Sequence, residues 1–371
     1  MKNDKETIIE LCMSPDLGGL ELYMVRAAQA LRERFHVVSV INTNTKLKEY
    51  FQSGDTVLQI EKKSNLLMFG AAKKLANIID QHNIRVIHLH WTKDIPFVIL
   101  AKILSHTKPK VVQTRNMTMT RFKDDFYHRF LYKNIDLMLP VTYQVKEQLE
   151  KFIPQDICPQ IEVLYMGSDK TDMLEKEELE DFKQTIGLQK ENFNVGMVGR
   201  INEAKGQHLL IEAIANIVDK QVHAYFVGHE MEQGYIDKLK IKAKELGVEQ
   251  RVHFLGFMKN PHHFFQACDV IVLASKRETF GLVLIEAMQV QTAVIGSNSG
   301  GVVEIIEHQE SGLLFDVGDA QSLSQQIVEL KTQPQLLEKI SLNGKKRCDR
   351  MFSNKLQFEK LGEVLDGLIG E

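Results

Sequence analysis

Carboxylates, cations and glycines at the ends of apolar strands carry the chemistry legible in this chain. Glu278 and Glu286 stand eight residues apart within residues 277–289, RETFGLVLIEAMQ, with Phe280, Gly281 and Leu282 between them. An ionised carboxylate only accepts hydrogen bonds, so the pair suits a hydroxyl-rich ligand such as a sugar and a ribose. The apolar residues 270–273 read as a buried strand that runs through a short turn into a helix opening at about Gly281. A helix start offers unpaired N–H groups and a positive dipole end to a phosphate. Gly281 has no Cβ and lets a ligand approach the backbone. A bare E-x7-E spacing is most often a surface charge and a solvated helix residue. Here the surrounding strand, turn, glycine and helix describe a nucleotide-sugar site instead.

A second constellation lies upstream. Residues 193–198 read as a strand ending in Gly199-Arg200, and Lys205-Gly206 begin the following helix. Arg200 and Lys205 bracket that loop; two cations there neutralise a diphosphate, although the spacing alone also fits two exposed loop charges. Near the N-terminus, Gly18-Gly19 open a helix directly after a first strand, residues 7–12. That turn lacks the G-x-G-x-x-G fingerprint of dinucleotide-binding folds, which argues against a nicotinamide dehydrogenase. His90 follows a strand ending in His88-Leu89 and precedes Trp91, the single tryptophan. A lone histidine is more often structural, but a strand C-terminus makes His90 a candidate contact to donor or acceptor. The chain has no D-x-D, so no carboxylate-bound metal on the diphosphate is indicated and no cofactor is expected.

These residues need strands and helices in alternation to hold them. The chain has 371 residues, which implies two domains. In the first half, strands are predicted at 7–12, 36–41, 85–89, 110–114, 135–140 and 161–164, and helices at 19–34, 71–82, 94–105 and 141–152. In the second half, strands are predicted at 193–198, 223–227, 251–255, 270–273 and 292–295. Helices at 320–331, 334–349 and 353–368 close the chain, the last crossing back to the first domain. Residues 167–190, polar and charge-rich, read as the linker. Such alternation predicts an α/β protein with parallel sheets covered on both faces.

Composition narrows the partners. Residues 1–165 hold 23 Lys plus Arg against 18 Asp plus Glu, and the remainder 23 against 31, so only the first half faces an anionic partner. Residues 108–133 carry seven of those cations and interleaved aromatics, and 122–133 read as a basic amphipathic helix. Such a face rests on an anionic membrane, grips an anionic acceptor, or is simply solvated. No nucleic-acid module is legible, and the whole chain is acidic, with a net charge of −3. No apolar run is long enough to span a bilayer, the N-terminus lacks a secretory pattern, and four scattered cysteines have neither metal nor disulfide spacing. Cys12 and Cys268 fall in strand-like apolar stretches. A reducing cytoplasm is the expected compartment.

With Gly18-Gly19, Gly199-Arg200, Lys205-Gly206 and Glu278 to Glu286 in this order, the sequence resembles the retaining glycosyltransferases of family 4, of GT-B fold, over essentially its whole length. The segments VLYMGSD (163–169) and VHFLGF (252–257) also have counterparts there. The resemblance implies two Rossmann-like domains facing across a cleft: residues 1–165 on the acceptor side, with 353–371 packing back on them, and residues 190–352 binding the nucleotide-sugar. It implies that Arg200 and Lys205 bind the donor diphosphate. It gives the transferred sugar and phosphate to Glu278 and the Phe280, Gly281 and Leu282 amides, and the ribose to Glu286. Gly18, Gly19 and His90 would lie near the reaction centre. Gly228-His229-Glu230 replaces the usual G-D-G turn, and Asn116 stands where a T-x-H histidine is frequent. The implied activity moves a hexose-type sugar from a nucleotide-diphosphate sugar to a glycan or lipid-linked acceptor, as in lipopolysaccharide or capsule synthesis. The competing readings are a nucleotide-sugar epimerase of the same fold and a non-catalytic scaffold.

Overall fold

The computed structural model describes residues 5–62 and 68–370. Residues 1–4, part of the N-terminal stretch read as lacking a secretory signal, and Glu371, at the end of the segment expected to pack back on the first domain, lie outside them. The chain forms two compact units, Met1–Tyr165 with Lys355–Glu371, and Met166–Asn354.

The first unit is built on seven strands: β1 (Thr7–Cys12), β2 (His36–Asn42), β3 (Thr56–Ile60), β4 (Val86–Leu89), β5 (Lys110–Arg115), β6 (Leu137–Pro140) and β7 (Gln160–Ile161). They lie side by side in the order β3-β2-β1-β4-β5-β6-β7, all parallel. Val86, Ile87 and Leu89 of β4 are fully buried, as expected of a parallel strand covered on both faces. The terminal helix Asn354–Gly370 belongs to this unit from Lys355 onward. Its Phe358 ring packs against Tyr23 at 5.4 Å, and its Asp366 pairs with Arg34.

The second unit holds β8 (Phe193–Val198), β9 (Val222–Val227), β10 (Val252–Gly256), β11 (Val270–Leu273), β12 (Ala293–Ser297) and β13 (Leu313–Phe315), ordered β10-β9-β8-β11-β12-β13. In both sheets the chain runs outward from its first strand, then returns to that strand's other side. The order therefore reverses between β1 and β4, and between β8 and β11. Such switch points leave a crevice at the strand C-termini, where α/β proteins bind ligands.

Several expectations are corrected. The predicted basic helix at 122–133 is shorter, Phe126–Tyr132, because Asp125 caps it by accepting the His128 N–H at 3.1 Å. Arg115, counted among that segment's surface cations, is buried and donates to Met117 O, Thr118 O and Thr92 Oγ1. The segment read as a linker contains the helix Lys176–Thr185, and Phe182 on it meets the His263 ring edge-on. Cys268 is buried at the end of the helix His262–Ala267, not in a strand. The strands β3 and β13 were not foreseen: β3 is a partly exposed edge strand after a polar stretch, and β13 is three residues long. Among the described residues no helix is long and apolar enough to cross a membrane.

Candidate active site

In the second unit the site is built at the β8 and β11 exits. Gly199 leaves β8 at φ +151°, a conformation that favours glycine. Beside it, a Cβ on Gly228 would come within 1.8 Å of the Gly199 carbonyl oxygen, so two strand ends meet there without room for a side chain. Asn202 Oδ1 accepts the Lys205 N–H at 3.2 Å, and Gln207 Nε2 donates to the Arg200 carbonyl at 2.9 Å. The loop carrying both cations is thus held at each end. Where the resemblance expects an aspartate turn, Glu230 accepts the Ile236 N–H at 2.7 Å and so caps the helix Tyr235–Glu245.

Lys205 reaches across to the β11 exit, where its Nζ lies 2.8 Å from Glu278 Oε2. The two side chains are 26% and 19% exposed, so solvent screens the pair, which is worth about 1 kcal/mol or less to stability. Its value lies in placing a cation and a carboxylate at one point. Glu278 is fixed through its backbone: its carbonyl accepts the Gly301 N–H at 2.9 Å. Ser297 Oγ, at the end of β12, donates to Ser275 O at 2.8 Å and braces the same loop. Gly281 is the N-cap of the helix Leu282–Gln289, with Phe280 buried before it and Glu286 half-buried within it. The first N–H groups of that helix have no partner inside it.

Gly199, Arg200, Lys205, Glu278, Phe280, Gly281, Leu282 and Glu286 therefore gather on one unit, around the switch point of its sheet. Arg200 is exposed. The arrangement has cations and backbone donors that suit an anion and carboxylates that suit hydroxyls. Asn202, Gln207 and the Ser297–Gly301 turn were not assigned to the site from sequence. Only Asn202, three residues before Lys205 in a capping position, had a readable signal.

The first unit places Gly18 and Gly19 after β1, where Gly19 opens the helix Gly19–Leu31, and His90 just after β4. His90 is not alone. Glu10 of β1 is fully buried between two imidazoles, with Oε1 3.0 Å from His88 Nδ1 and Oε2 2.6 Å from His90 Nε2. His88 Nε2 lies 2.7 Å from Thr114 Oγ1 of β5. Burial alone would raise the Glu10 pKa, but the attraction of His88 and the hydrogen bonds from both histidines hold it below the usual carboxylate value. Burial and then His88 push the His90 pKa down to about 4, against the pull of Glu10. His90 Nδ1 is buried with no hydrogen-bond partner among the described residues. Leaving such an atom unpaired costs about 1–3 kcal/mol. Glu10, His88 and His90 are also the types that ligate metals, with ligand atoms within 4.8 Å of one another. Their close contacts are those of a hydrogen-bonded network. Sequence reasoning did not single out Glu10 or His88; a charged residue in the apolar strand TIIELC was the available clue.

Two parallel Rossmann-like sheets, each with chemistry at its switch point, define the class as a GT-B protein. Two families match in the order of the units: Glycosyl transferase 4-like over residues 10–142 and Glycosyl transferases group 1 over residues 178–347. The chain belongs to these glycosyltransferases and is a glycosyltransferase itself. It is 25% identical to the Staphylococcus aureus capsular polysaccharide biosynthesis glycosyltransferase CapM, covering 92% of each chain. It is 27% identical to the Bacillus anthracis N-acetyl-alpha-D-glucosaminyl L-malate synthase, covering 87% of each. Among solved structures, Anabaena HepE in complex with UDP superposes with a TM-score of 0.84 at 22% identity, over 98% of this chain and 100% of that one. HepE is also solved with UDP-glucose.

Proposed function

We propose that the protein transfers a hexose-type sugar from a nucleotide-diphosphate sugar to a hydroxyl of a glycan or lipid-linked acceptor, with retention at the anomeric carbon, in cell-envelope polysaccharide synthesis. The observation that carries this reading is the meeting of Lys205 and Glu278 at the β8–β11 switch point, 2.8 Å apart. Arg200 and Lys205 take the diphosphate, Glu278 and the Phe280, Gly281 and Leu282 amides the sugar and phosphate, and Glu286 the ribose. As the glycosidic bond breaks, negative charge grows on the leaving diphosphate. Fixed cations and helix N–H groups stabilise it without reorganising. Complexes of HepE with UDP and UDP-glucose support the donor class, and the names of the capsule and lipopolysaccharide relatives support the acceptor class.

A thermal-shift panel of UDP-, GDP- and ADP-sugars tests the donor. One nucleotide family is expected to raise the melting temperature, because a ligand bound only to the folded state stabilises it. No shift with any of them at millimolar concentration would refute the reading. Product analysis separates transfer from epimerisation: a transferase moves the sugar only when an acceptor is present.

We further propose that the first unit docks reversibly on an anionic membrane surface at the cytoplasmic face. Phe122, Phe126, Tyr127 and Phe130 are exposed there, Phe126 at 89%, among Arg121, Lys123 and Lys133. Arg129 pairs with Asp124 and Asp156 and contributes less. Each basic residue near such a surface adds about 1 kcal/mol, and the attraction fades within a Debye length. Flotation with phosphatidylserine vesicles is expected at low salt, with loss at high salt and in the Arg121→Glu, Lys123→Glu, Lys133→Glu variant. Equal recovery with neutral vesicles, or no effect of the substitutions, would exclude electrostatic docking.

A further inference from the structure

The buried network of the first unit is not explained by donor binding in the second. Glu10 on β1 and His88 on β4 are direct register partners, and His90 and Thr114 complete the row. An ionised Glu10 has only acceptors, so each ring nitrogen facing it must bring a proton. His88 then donates from Nδ1 and His90 from Nε2. The assignment for His90 holds whether or not His88 is also charged.

A neutral imidazole with its proton on Nε2 carries a bare lone pair on Nδ1. In His90 that atom is buried and unpaired among the described residues. A lone pair takes a donor, and the donors a sugar supplies are its hydroxyls. His90 is the residue after β4, at the switch point of the first sheet, where ligands bind.

We propose that Glu10 is a positioning residue that locks His90 in the Nε2–H tautomer, so that its Nδ1 accepts a hydrogen bond from a hydroxyl of the sugar substrate. This rests on the glycosyl-transfer reading. Burial and His88, which keep His90 neutral down to about pH 4, are consistent with it. Tyr23, whose ring stands edge-on to His90 at 5.7 Å, and His88 and Glu10 are the titratable groups packed around it.

Asparagine places its amide where Nδ1 stood, and glutamine where Nε2 stood. Under saturating donor, His90→Asn is expected to keep kcat within about tenfold of the parent protein. His90→Gln, which keeps only the Glu10 contact, should lose about tenfold to a hundredfold. The reverse order would overturn the proposal. In a 15N-histidine spectrum, the His90 Nδ1 signal should be that of an unprotonated nitrogen and should move when the donor chosen by the thermal-shift panel is added with acceptor. A proton on Nδ1, an unmoved signal, or a stoichiometric metal in the purified protein would each sink it. Glu10→Gln should redistribute the His90 ring proton and lower kcat about tenfold in a folded variant. An unchanged tautomer and kcat would remove Glu10 from the role. Failure of the parent protein to transfer any sugar would count against the transfer reading, whereas transfer with the wrong variant order counts against this proposal alone.

Discussion

Arg200→Ala and Lys205→Ala are each expected to lower kcat by about a hundredfold or more at saturating donor, the scale of losing one donor aimed at developing charge. The loop that carries them is pinned by Asn202 and Gln207, which bond the backbone of Lys205 and Arg200. Removing either side chain therefore leaves its frame in place. The Lys205–Glu278 pair is partly exposed, so its loss should change stability by about 1 kcal/mol or less. A large activity loss with a small change in melting temperature is thus the expected signature. Arg200→Lys should fall between, because an ammonium cannot reproduce the planar, bidentate contact of guanidinium with phosphate. Unchanged kcat in folded variants would remove these cations from the chemistry.

The second large effect separates the two carboxylates. Glu286→Ala is expected to weaken binding of the free nucleoside diphosphate by about tenfold to a hundredfold, the worth of hydrogen bonds to a charged group. Donor binding should fall equally, because both ligands carry the ribose. Glu278→Ala should leave diphosphate affinity unchanged or slightly tighter, since Lys205 loses the carboxylate beside it. Transfer in that variant should fall by about a hundredfold. Titration calorimetry with the diphosphate, alongside single-turnover transfer, decides the matter. Equal loss of diphosphate binding in both variants would refute the division of roles.

The fold class was legible because buried parallel strands are near-continuous apolar runs, and strands 193–198 and 270–273 stand out as such between polar turns. Less legible were elements whose stability is not local. β3 and β13 are held largely by their neighbours in the sheet, and a helix was read through 122–125, where Asp125 instead makes the cap. Arg115 looked like a surface cation because composition does not tell a charged side chain facing solvent from one tying down a loop from inside.

By itself, then, the sequence determined which residue types stand at the ends of strands, and so the chemical character those ends offer: cations and glycines suited to an anion, carboxylates suited to hydroxyls. Strand ends and helix starts are local events, written in a few neighbouring residues. Tertiary structure alone decided the pairings. Lys205 and Glu278 lie 73 residues apart in the chain, and their contact follows from β8 and β11 being neighbours, an order that local pattern does not state. Glu10 and His90, 80 residues apart, meet for the same reason across β1 and β4. The polarity of a buried side chain acquires a meaning only when the strand beside it is known, because in a low-dielectric interior its partner decides whether it is charged, neutral or left open to a ligand.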